Sequence, residues 1–144
     1  MDRASRGTLL FALGTLWALP MTAVGLTLGC GALALGARLS VSDSAIVFSH
    51  FRFFSTGALT LGQVILHTGD SLDSPAKTYH CAAFGGNECV RIGTHERAHV
   101  YQYMAFGVLF LPLYFLHGGI SHRNRFEQAA DRYALTGKDW WPYT

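Results

Sequence analysis

From Thr8 to Ala37 the chain runs thirty residues without a charged side chain, with Arg3 and Arg6 before the run and Arg38 after it. A membrane-crossing helix needs about 20 predominantly apolar residues, so the segment reads as a membrane anchor. A cleaved signal peptide and a buried core helix are the other sources of such a run. A signal peptide has an apolar stretch of only about 7–15 residues and a small-x-small cleavage site. This run is longer, and its Gly and Thr spacing offers no sharp site. Thr27-Leu28-Gly29-Cys30 also lacks the aliphatic residue that a lipoprotein cleavage box needs at its first position. Pro20 divides the run, so the length fits one tilted, kinked span, with a re-entrant hairpin as the alternative. Gly25 and Gly29 form a small-xxx-small pair that lets another helix approach closely. Arg3 and Arg6 favour an inside N-terminus, and Arg38 on the other flank dilutes that bias.

The remaining length, within 144 residues, suits one small domain. Half the residues are hydrophobic and 14% are charged, against a usual charged share of about a quarter. That balance excludes intrinsic disorder. A net charge of +2 with no basic run gives nothing to neutralise a line of phosphates, so no nucleic-acid partner is expected. Three cysteines are too few for a disulfide scaffold. Cys81 and Cys89 flank Phe84-Gly85-Gly86-Asn87 and either close a small loop by a disulfide or remain two free thiols. Ser44–Phe54 and Ala58–Leu66 are rich in β-formers and are joined by Ser55-Thr56-Gly57, which predicts a hairpin. Thr60–Leu66 is a candidate edge strand able to pair with an extended peptide. Residues 69–75 read as a loop.

The chemistry is concentrated in Thr94-His95-Glu96-Arg97-Ala98-His99, an H-E-x-x-H string. On a helix, positions i and i+4 share a face, so His95 and His99 would present two imidazoles to one metal ion. Glu96, one step round from His95, would take a proton from a water activated there. Thr94 is the expected N-cap, with Gly93 before it. Zinc needs a third protein ligand. Phe126-Glu127-Gln128-Ala129-Ala130-Asp131 supplies one in an E-x-x-A-D string. Glu127 completes a His2Glu set, and Asp131, one turn on, can accept the second N–H of a ligating histidine and fix its tautomer.

HERAH followed downstream by FEQAADRYA resembles the gluzincin metallopeptidases. The E-x-x-A-D half is most similar to the HtpX and CAAX-prenyl-protease family of membrane peptidases. ALTLGQVIL, HERAHVYQY and GVLFLPLYFL together also resemble small bacterial membrane proteins that carry HExxH. The resemblance covers about residues 58–137, in a chain about half the size of the membrane peptidases and lacking most of their spans. It implies Zn2+ held by His95, His99 and Glu127, with Glu96 as general base and Asp131 behind the ligands. It further implies a peptide or protein substrate and a bacterial inner-membrane location in contact with lipid.

The segment between the motifs tests this reading. No Asp, Glu, Lys or Arg occurs from Ala98 to His122, and residues 104–116 are apolar enough to suggest a second span. A full crossing would carry His99 and Glu127 roughly 25–30 Å apart, at about 1.5 Å per residue, whereas a shared ion needs each within about 2 Å. Residues 104–120 are therefore expected to make a helical excursion, broken near Gly107 or Pro112. It would dip into the membrane or pack on the N-terminal run, and return through Gly118-Gly119. His50, His67 and His80 read as surface or core histidines. Of His117, His122 and Tyr133, His122 is the candidate oxyanion donor. Arg123 and Arg125 suit solvent or lipid headgroups, and Trp140-Trp141-Pro142-Tyr143 an interfacial anchor. The expected architecture is α+β. Residues 1–40 form the membrane anchor, and 41–144 a minimal zincin-like peptidase domain with a small sheet, an active-site helix and a downstream helix carrying the third ligand. The competing function is a non-catalytic membrane protein whose zinc is structural, closed by His117 or His122. A third reading has no metal, only apolar runs forming a membrane interaction module.

Overall fold

The computed structural model describes residues 3–144. The uncharged run forms one continuous helix, α1 (Arg3–Leu33), that carries Pro20 within it, so the hairpin alternative is set aside. Its hydroxyls are satisfied locally. Thr8, Thr15, Thr22 and Thr27 each donate to the carbonyl four residues earlier, at 2.8–3.2 Å. That is how helices accommodate threonine in an apolar setting. The buried face is a stripe of small residues: Gly14, Ala18, Thr22, Gly25, Gly29 and Ala32. Leu10, Leu13, Leu16 and Val24 point away from the rest of the chain, at 46–69% exposure. Among the described residues, two helical stretches are long and apolar enough to cross a membrane, α1 and Ile92–Leu116; in the first, only 22% of the most apolar window is buried.

The α+β fold rests on this helix. A four-stranded sheet contains β1 (Arg38–Ser42), β2 (Ala45–Ser49), β3 (Ala58–Leu61) and β4 (Val64–His67), in the order β1-β2-β4-β3. Both hairpins differ from the expected one. β1 and β2 turn at Asp43-Ser44, two non-glycine residues with φ of 53° and 61°, and β3 and β4 turn at Gly62-Gln63. β2 and β4 are parallel. Ser55-Thr56-Gly57 is therefore part of a crossover, not a hairpin turn. Phe51, Phe53 and Phe54 lie in that crossover, where Phe51 packs on the other two at 5.0 and 5.3 Å. β4 is buried along its whole length, while β3 is the edge strand, so the expected edge at Thr60–Leu66 is met only by its first residues. Gln63 N–H donates to Thr22 Oγ1 at 3.0 Å. A Cβ on Gly25 would stand 2.7 Å from Val64 Cβ. The small stripe of α1 is thus the seat of the sheet.

β5 (Pro75–Lys77) and β6 (Cys89–Arg91) form a second, two-stranded sheet around α2 (Tyr79–Phe84). Thr78 caps α2 by accepting from Cys81 N–H at 3.2 Å. Cys81, buried, and Cys89, exposed, are unpaired thiols.

The HERAH string lies on α3 (Ile92–Phe106), which starts three residues earlier than expected. Arg91 occupies the N-cap without a side-chain cap bond, so Thr94 is inside the first turn. The guanidinium of Arg91 instead grips Asp43 through both carboxylate oxygens at 2.6 and 2.9 Å. Burial alone would raise the Asp43 carboxyl, but its hydrogen bonds to Arg91 and the opposite charge outweigh burial and hold it below the ordinary value. The pair therefore lends stability above about pH 4, which is lost as pH falls through the lower folded-state value. Asp43→Asn is expected to lose about 1.5–3 kcal/mol at neutral pH. Thermal melts of both proteins in detergent should converge as the pH drops below the folded-state value. An equal gap at neutral and acid pH would remove the ionic contribution.

Beyond α3 the chain breaks at Gly107, where φ is 56°. It makes a short 3-10 turn (Gly107–Leu109) and then α4 (Phe110–Leu116). Gly118 and Gly119, at φ of 110° and 59°, bring it back to α5 (Arg125–Thr136). Trp140 packs on Tyr101, and Trp141 stacks on Phe106 at 5.0 Å, so the C-terminal aromatics pack onto α3.

Candidate metal centre

α3 and α5 face each other across the site. His95 and His99, one turn apart on α3, are each 6–7% exposed, and Glu127, in the first turn of α5, is 3% exposed. His95 Nε2 lies 3.0 Å from Glu127 Oε2, His99 Nε2 lies 3.3 Å from the same oxygen, and the two Nε2 atoms are 3.2 Å apart. The excursion between the motifs therefore returns to its starting side.

The tautomers follow from the outer contacts. Gln102 Nε2 donates to the carbonyls of Phe126 and Trp140 at 3.2 and 3.0 Å, which leaves its Oε1 to accept from His99 Nδ1–H at 2.8 Å. Asp131 Oδ1 accepts from His95 Nδ1–H at 2.9 Å, while its Oδ2 accepts from Tyr79 N–H at 2.7 Å. Both Nε2 lone pairs are then bare and converge with a carboxylate oxygen. Three electron-rich atoms in one buried spot suit a cation between them. Burial by itself would raise the Glu127 carboxyl, but when the imidazoles carry protons on Nε2 in place of a metal, their charge and hydrogen bonds outweigh burial and hold it well below the usual carboxylate range. Tetrahedral zinc with bonds of about 2.0–2.2 Å sets its ligands about 3.3–3.6 Å apart, close to the separations observed. This buried group could hold a metal ion.

The triad lies in the wall of a cavity of about 570 Å³. Glu96 lines it too, and its Oε2 accepts from Thr60 Oγ1 of β3 at 2.7 Å. Thr56 to Thr60 line the cavity consecutively, so the crossover and β3 present their backbone edge to it. Apolar side chains supply most of the remaining wall. Tyr114 of α4 is buried against the triad, and its hydroxyl donates to Glu127 Oε1. The Tyr79 ring stacks over His95 at 5.9 Å.

The structure thus brings together His95, Glu96, His99, Glu127 and Asp131. His122 does not join them. It packs edge-on against Phe84 at 4.8 Å and borders a separate hollow behind Asp131, because the loop after α4 carries it past the cavity. His117 turns to the Tyr143 hydroxyl at 3.0 Å, and Tyr133 faces Tyr101 and Arg97. Gln102, three residues after His99 on the same helical face, was findable by spacing. Thr60, Tyr79 and Tyr114 arrive only through tertiary packing.

Asn124 fixes both halves of the site. It is fully buried, its Oδ1 caps α5 at Phe126 N–H (2.9 Å), and its Nδ2 donates to the carbonyls of Tyr114 and Gly119 at 3.0 and 2.7 Å. Removing it frees the first turn of α5 and the return of α4 together. Should the triad hold a metal ion, Asn124→Ala is expected to weaken its affinity by about 10–100-fold, as loss of an outer partner does at metal sites. Competition with a chelating dye reads this directly, and unchanged affinity would reduce Asn124 to a helix cap.

Comparison with protein-family models, curated proteins and solved structures finds no match for the chain.

Proposed function

We propose that the chain is a membrane-anchored zinc metallopeptidase of the gluzincin type. The observation that carries this reading is the convergence of two bare imidazole nitrogens and a carboxylate oxygen within 3.0–3.3 Å in a cavity wall, beside a glutamate that binds none of them. Zinc held there supplies a Lewis acid that acidifies water and polarises a carbonyl. Glu96, oriented by Thr60, takes the proton of the attacking water and delivers it to the leaving amine. The edge of β3 offers main-chain hydrogen bonds to an extended peptide. Tyr114 and Tyr79, not His122, are the groups near enough to steady charge developing beside the triad.

A catalytic site needs an open coordination position, and a structural one needs a fourth ligand. Neither His117 nor His122 approaches the triad, and among the described residues it contains three ligands only. That favours the enzyme over the structural-zinc reading. The outward bulky face of α1 and its locally satisfied hydroxyls support membrane anchoring.

Metal analysis of detergent-purified protein tests the proposal, together with hydrolysis of an unstructured peptide mixture before and after chelation. About one zinc per chain is expected, with activity lost on chelation and restored by zinc. Absence of bound metal under zinc-replete conditions would overturn it.

A further inference from the structure

The excursion between α3 and α5 carries a second apolar surface that the fold does not cover. Leu109, Phe115, Leu116 and Ile120 are 54–80% exposed, in a stretch without a charged residue from Ala98 to His122. Its position along α1 is fixed by close packing. A Cβ on Gly107 would meet the Trp17 indole nitrogen at 2.6 Å, and a Cβ on Gly14 would meet Met104 Cβ at 2.9 Å. Trp17 lies eleven residues past Arg6, about 16 Å along a helix. The hydrocarbon layer is about 30 Å thick. With Arg6 at one headgroup layer and α1 crossing, the level of Trp17 falls inside the hydrocarbon, and the excursion shares that level. Arg123 and Arg125, both exposed, follow it directly and match anionic headgroups. Its backbone is mostly helical, as lipid contact demands. Phe115 and Ile120 also line the metal cavity, together with Leu59, which is 41% exposed.

We infer that residues 107–120 are a second lipid-inserted element beside α1, and that the cavity mouth opens onto lipid. The substrate is then an apolar peptide segment already held in the bilayer, not a peptide arriving from water. This rests on the proposed anchoring by α1, and the experiment separates the two.

Single cysteines at Leu13, Leu116, Ile120 and Asp70 are labelled with an NBD fluorophore, with Cys30 and Cys89 replaced by serine and buried Cys81 retained. The proteins are reconstituted in phosphatidylethanolamine–phosphatidylglycerol vesicles. Labels at positions 13, 116 and 120 should emit several-fold more strongly than that at 70, and spin-labelled acyl chains should quench them. Lipid-like emission at 13 with water-like emission at both 116 and 120 overturns the inference and leaves the anchor intact. Water-like emission at 13 as well overturns the anchor reading. Quenching at 116 but not at 120 places the tip in lipid and overturns the lipid-facing mouth.

Discussion

On the proposed reading, Glu127→Ala abolishes zinc binding while leaving most of the fold in place. Glu127 Oε2 is the third point of the triad, 3.0 and 3.3 Å from the two imidazole nitrogens. Without it two neutral histidines remain, short of the three protein ligands a catalytic zinc site has. The loss should exceed the roughly 10–100-fold that follows from disturbing an outer partner. Asp131→Asn, which weakens the contact at His95 Nδ1 but spares all three ligands, should fall in that smaller range. Dialysis against buffered zinc followed by metal analysis compares the two directly. Equal zinc content in wild type and Glu127→Ala would place the metal elsewhere or nowhere. The fold should survive because α5 is also held by Asn124, Phe126 and Ala130, which are buried independently of the metal.

Glu96→Gln has the opposite signature. The amide keeps the shape, and it can still meet the Thr60 hydroxyl that Glu96 Oε2 now accepts from at 2.7 Å. Zinc content should therefore stay at the wild-type level. Peptide hydrolysis should fall by about 10²–10⁴, the span a positioned acid–base group contributes. Wild-type turnover in this variant would remove Glu96 from the proton path. A structural zinc site predicts no effect of this change at all, so the variant also divides the two metal readings.

The parts of the site that were legible in the sequence are those set by helical spacing. His95 with His99 and Glu127 with Asp131 are each i and i+4, and a helix alone puts each pair on one face. The meeting of the two helices followed from requiring one ion, and Gly107, Gly118 and Gly119 gave the turn-back a visible mechanism. The sheet was less legible. β1 is exposed along its length, so no burial pattern marks it, and its turn at Asp43-Ser44 uses positive φ without glycine. The parallel pairing of β2 with β4 is non-local and leaves no trace in local composition. Tyr114 was hidden for a different reason. Within an apolar run it reads as one more aromatic, and only the close of the excursion aims its hydroxyl at Glu127. His122 failed because its backbone sits in a loop, where spacing carries no direction.

The small-residue face of α1 makes this helix an internal scaffold of the fold. Ala18 and Ala32 belong to the same core as Phe48, Val64 and Phe126, so cutting the chain after residue 37 would expose a groove, not release a finished soluble domain. A generic membrane helix with bulky side chains at positions 25 and 29 would not fit against Val64 and Phe48. For anyone wishing to handle the protein in water, the route is the reverse of truncation. Keep Gly14, Ala18, Thr22, Gly25, Gly29 and Ala32, and recode only the outward leucines as polar helix formers.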